Sequence, residues 1–114
     1  MRARNTIKPK TDSDLDDYAN YLAREANADI ALKFLTAANE TFALLANHPN
    51  IGWPSSQKLA ILKPLRVFSV KGFKMMLILY RPLLDGADIP RVVHGSRNLQ
   101  KLFRRRGGLD GGII

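Results

Sequence analysis

The chain of 114 residues has no cysteine, which excludes a disulfide framework and a thiolate metal site. Its two histidines, His48 and His94, stand 46 positions apart without acidic companions, so a histidine metal centre is not expected either. Long apolar runs are also lacking. The longest, Met75 to Leu79, falls far short of a membrane span. No apolar stretch follows the basic start MRARNTIKPK, so it does not read as a signal peptide. These absences predict a soluble cytoplasmic protein that needs no membrane, metal or cofactor.

Acid is scarce in one half of the chain. Residues 1–40 carry six Lys/Arg and seven Asp/Glu, whereas residues 41–114 carry twelve Lys/Arg and three Asp. The net charge of +8 is therefore concentrated in a second half whose cationic surface is almost unopposed. Such a field draws in nucleic acid or an acidic protein and speeds encounter with either. At 46% hydrophobic and 25% charged residues the composition is globular, and the length suits one domain with one core.

Apolar periodicity predicts two helices. Asp12 to Glu25 places Leu15, Tyr18, Ala19 and Leu22 on one side, with Thr11 or Asp12 as cap and the early aspartates facing the positive end of the helix dipole. Asp29 to Asn47 carries the stripe Ile30, Phe34, Ala38, Phe42 and Leu45 and ends at His48-Pro49, because the residue before proline leaves the helical region. A loop rich in Gly, Pro and Ser follows to Pro64, and Trp53 within it is expected to cover the core. Three strands complete the pattern: Leu65–Val70, Phe73–Tyr80 and Ile89–His94. Lys71-Gly72 forms the first turn, Pro82 to Gly86 the second. A further short strand is expected around Thr6 to Pro9. Met75 to Leu79 is apolar on both faces, as in a central strand covered on both sides.

The stretch Arg91-Val-Val-His-Gly-Ser-Arg-Asn-Leu-Gln-Lys-Leu-Phe103 joins the last strand to a short helix predicted over Asn98 to Phe103. Arg91 and His94 lie three apart on a strand and should point to opposite faces, so only one of them shares the surface of Arg97. Gly95 frees the exit from the sheet, and Ser96 or Asn98 can cap the helix.

In this order, Asp14-Leu15-Asp16, Ala31, Phe34 and Leu35, Leu44 to Pro49 with Gly52, Leu65-Arg66, Tyr80-Arg81-Pro82 and Arg91 to Arg97 resemble the ParE/RelE superfamily of toxins from type II toxin–antitoxin pairs. The likeness is greatest to the ParE branch. It implies an α+β fold in which an N-terminal helical hairpin packs on a three- to four-stranded antiparallel sheet, with a short C-terminal helix. Residues 1–103 would form one domain and 104–114 a basic, glycine-rich flexible tail. The resemblance further implies a cognate, ParD-like antitoxin that wraps and neutralises the toxin, in a higher-order hetero-oligomer. ParE-like members block DNA gyrase; RelE-like members cut messenger RNA on the ribosome.

Cutting RNA without a metal requires a base, a cation and an acid within hydrogen-bond reach of one phosphodiester. By the resemblance, Lys74 stands where the nuclease branch has a phosphate-binding arginine, and Arg97 matches another cation. Phe103 replaces the nuclease tyrosine and has no proton to give. Leu65 and Val67 lie about where nucleases place lysines. His94 could substitute as acid or base, but a lone histidine at a strand end is more often structural. No catalytic residue is therefore assigned, and binding without chemistry is favoured over the endonuclease alternative. The target-binding candidates are Lys74, Arg91, His94, Arg97, Lys101, Arg104, Arg105 and Arg106. Tyr18, Tyr21, Leu22 and Trp53 are the candidates for holding the antitoxin.

Overall fold

A computed structural model describes residues 4–54 and 65–95. The predicted C-terminal helix, the basic tail, Arg97, Lys101, Phe103 and Arg104 to Arg106 lie outside the described residues. The elements run β1 (Arg4–Ile7), α1 (Pro9–Glu25), α2 (Ala28–Asn47), β2 (Trp53–Pro54), β3 (Arg66–Val70), β4 (Phe73–Leu83) and β5 (Gly86–His94). The strands form one sheet in the order β1-β5-β4-β3-β2, and both helices pack on one face of it.

The helical hairpin forms largely where the apolar spacing places it. Asn27 caps α2 by accepting a hydrogen bond from the Ile30 amide at 2.9 Å, which satisfies one of the orphan donors of the first turn. Phe34, Ala38, Phe42 and Leu45 are buried against the sheet, and Leu15 and Ala19 of α1 join them. The start of α1 differs from expectation. Pro9 occupies its first turn, where a missing N–H costs nothing, and Lys8 is an N-cap without a side-chain bond. Thr11 is therefore inside the helix rather than a cap. Its buried hydroxyl donates to the Ile89 carbonyl at 2.6 Å, which fastens α1 to β5.

The sheet is mixed rather than wholly antiparallel. Strands β2 to β5 pair antiparallel, but β1 runs parallel to β5, from Arg4 opposite Gly86 to Ile7 opposite Ile89. The two strands are far apart in sequence, so their relative direction is set by the path of the whole chain between them. The β4–β5 hairpin is longer than expected. Pro82 lies within β4 opposite Ala87, beyond Tyr80 where pairing with β3 ends, so its absent donor disturbs no ladder on that side.

The central strand has the two faces its composition implies. Met76, Ile78 and Tyr80 join the core beneath the helices, while Leu77 and Leu79 meet Val67 and Val93 on the reverse face. At the first hairpin Gly72 adopts φ +79°, in the left-handed region open to glycine. Trp53 departs from expectation: instead of covering the core it is half exposed in β2, its ring 6.3 Å from that of Phe68. The core under the loop is closed instead by Tyr80. Its buried hydroxyl donates to the Pro49 carbonyl at 2.7 Å and accepts from the Gly52 amide at 3.0 Å. Arg66 adds bonds to the Asn50 and Gly52 carbonyls.

This closure yields a prediction. Tyr80→Phe strands a buried amide and should lower unfolding free energy by about 2 kcal/mol. Gly52→Ala should cost at least as much, because its Cβ would sit 2.6 Å from the Tyr80 hydroxyl and 2.7 Å from the Val67 carbonyl. Denaturant unfolding of both variants checks this; wild-type midpoints would show that the loop is held by other contacts.

Candidate recognition cleft

The parallel pairing of β1 has a local consequence. It ends at Ile89, so among the described residues no strand pairs with residues 90–94 of β5 on that side. The side of α1 lies along this edge instead. Thr11 bonds to Ile89; one turn on, Asp14 accepts the Val92 amide at 3.0 Å. The same carboxylate accepts two bonds from the Arg91 guanidinium, at 2.8 and 3.2 Å. Another turn along, the Tyr18 ring lies 6.0 Å from His94. A carboxylate of a helix thus serves as the missing neighbour of a strand.

The side chains of Arg91 and Asp14 are only 11% and 8% exposed, so this is a paired, largely desolvated charge of the bidentate kind. Arg91, a target-contact candidate on sequence grounds, is placed here in an internal structural role. Asp14 likewise does not serve the helix dipole as expected. With α1 starting at Pro9, Asp12 is the acidic residue of the first turn, and Asp14 is left for β5.

Between α1 and β5 runs a cleft of about 420 Å³ lined by Asp14, Asp17, Tyr18 and Tyr21 of α1, Met76 of β4, and Arg91 to His94. Arg91 and His94 therefore both line one cleft. Backbone alternation is regular here, from Leu79 opposite Arg91 to Met76 opposite His94, so the two residues start on opposite faces; the long Arg91 side chain reaches the helix around the edge beyond Ile89.

Tyr18 packs edge-on against Phe34 at 5.0 Å and stacks on Tyr21 at 5.6 Å and 23°. Tyr21 is 47% exposed and presents its ring to solvent. Burial, and secondarily the neighbouring Tyr21, raise the pKa of the Tyr18 phenol above its ordinary value, so it is neutral at physiological pH. Tyr18, Tyr21, Arg91 and His94, drawn from two separate sets of candidates, are brought together here. Leu22 packs against the core, and Trp53 lies on the far edge of the sheet beside β3.

Lys74 lies elsewhere. It lines a second groove of about 660 Å³ between α2 and the β3–β4 hairpin, with Lys71, Glu40, Leu44 and Phe68. Leu65 and Val67, at the positions compared with nuclease lysines, are both buried. Among the described residues no group of His, Asp or Glu is placed to hold a metal ion, and no helix is long and apolar enough to cross a membrane. Sequence reasoning missed Asp17 and the partner of Asp14. Their spacing with Tyr18 and Tyr21, at i, i+3, i+4 and i+7, marks one helix face and was the available signal.

The family model for the ParE toxin of the type II toxin–antitoxin system, parDE, matches residues 6–99. Among solved structures, the chromosomal ParDE toxin–antitoxin system from P. aeruginosa is similar, with a TM-score of 0.66 and 17% identity over 81% of this chain and 95% of that one. At that identity the likeness speaks to the fold. No curated protein matches significantly.

The two carboxylates of the cleft should separate cleanly. Asp14→Ala leaves a buried guanidinium and an amide unpaired and should cost about 3 kcal/mol. Asp17→Ala, at an exposed position, should stay within about 0.5 kcal/mol of wild type. Equal losses in chemical denaturation would contradict this division of labour.

Proposed function

We propose, for a chain that belongs to the ParE toxin family of type II toxin–antitoxin systems, that it arrests growth by binding DNA gyrase and is neutralised by a cognate antitoxin in a cytoplasmic hetero-oligomer. The toxin role and an antitoxin partner follow from family membership; the target and the manner of action are our reading. The observation that carries it is the placement of the groups that phosphodiester cleavage would need. Leu65 and Val67 are buried apolar side chains, and Arg91 is committed to Asp14. Lys74, on the second groove, is not among the cleft residues around His94. Among the described residues a base, a free cation and an acid are thus not gathered around one phosphate.

A binding toxin needs none of them. Stabilising one intermediate of a multistep enzyme shifts the population of its states and stalls the cycle. The cationic groups available for this are Lys71 and Lys74 at the first hairpin together with Arg97, Lys101 and Arg104 to Arg106. Their field suits a target already carrying DNA. Mutual proximity of the His94 and Tyr18 rings favours the second reading, a ribosome-dependent mRNA endonuclease in which the imidazole takes the proton of the ribose 2′-hydroxyl and the neutral phenol protonates the leaving oxygen.

Purified gyrase and plasmid distinguish the two. We expect supercoiling to fail and cleaved DNA to accumulate at excess toxin, with Lys71→Glu/Lys74→Glu about tenfold weaker, since phosphate contacts act through charge. Unchanged supercoiling, together with ribosome-dependent transcript cleavage that disappears in His94→Ala, would replace this reading with the second.

A further inference from the structure

We propose that the cleft between α1 and β5 is a recognition pocket for one arginine side chain of the antitoxin, held by the Asp17 carboxylate against the Tyr18–Tyr21 pair. The inference rests on the reading that an antitoxin neutralises this chain.

The cleft wall already shows how it takes a guanidinium. Asp14 receives that of Arg91 through two hydrogen bonds. Asp17 lies one helical turn further on, lines the same cleft, and pairs with no cation among the described residues. Beside it stands a stacked pair of tyrosines, one of them half exposed. The face of such a ring attracts a cation, and it favours the planar guanidinium over a compact ammonium because the planar group can stack while its edge grips a carboxylate. A volume of about 420 Å³ admits a whole arginine side chain.

Charge makes the pocket selective. The second half of the toxin, with twelve cationic and three acidic residues, favours an acidic partner. In the cleft Asp14 is neutralised by Arg91, so Asp17 adds an uncompensated negative charge. An acidic segment is repelled there unless it brings a cation to that point. Attraction over the surface and repulsion at one site together fix the register of the bound segment and reject related antitoxins lacking the arginine.

The full-length toxin is titrated with its full-length cognate antitoxin by calorimetry. Asp17→Asn and Tyr21→Ala alter exposed side chains, and circular dichroism confirms their fold. Each should weaken binding about tenfold. Replacing every antitoxin arginine in turn by glutamine should reveal one position whose loss is non-additive with Asp17→Asn. Wild-type affinity in both toxin variants, or no arginine coupled to Asp17, overturns the pocket and leaves the toxin–antitoxin reading intact. A wild-type toxin that binds no antitoxin overturns both.

Discussion

One carboxylate closes an edge that no strand covers among the described residues. A β-strand with a free edge exposes unpaired amides and carbonyls and invites pairing with another chain. Here β1 covers β5 only as far as Ile89, and beyond it the Asp14 side chain accepts the Val92 amide and holds the Arg91 guanidinium. The arrangement is local in space and distant in sequence, spanning 77 and 78 positions. It orients α1 along β5 and creates the cleft between them. Thr11 at one end and Tyr18 at the other continue the same contact.

Function follows from which charges that contact consumes and which it leaves. Arg91 is spent inside the molecule, whereas Lys71 and Lys74 are exposed at the opposite hairpin groove. The surface of this ParE-family chain is therefore divided. A cationic region suits anionic targets, and a small acidic, aromatic cleft suits the reverse. On the proposed reading, the two surfaces of unlike charge serve two partners, one to be inhibited and one that inhibits.

The features that were legible in the sequence are those whose causes are local. The apolar stripe of α2 and its end at His48-Pro49 are each set by residues a few positions apart, and the predicted span differs from Ala28–Asn47 by one residue. The Lys71-Gly72 turn was equally readable, because a tight hairpin needs a residue that tolerates positive φ. The start of α1 was misplaced because proline at a first helical turn and proline at a strand end look alike without a partner. The parallel pairing of β1 and the destination of Asp14 both depend on contacts about 80 positions away, which no periodicity records. For the same reason the candidate residues were sorted into two groups that the structure places together.

The most direct test of this account is a double-mutant cycle on Asp14 and Arg91, using Asp14→Asn, Arg91→Gln and the double variant in equilibrium unfolding. A buried bidentate pair that seals a strand edge predicts a coupling free energy of about 2 kcal/mol, with the double variant less destabilised than the sum of the singles. Additive losses, or a coupling of a few tenths of a kcal/mol as at an exposed surface pair, would show that the edge of β5 is held by something else.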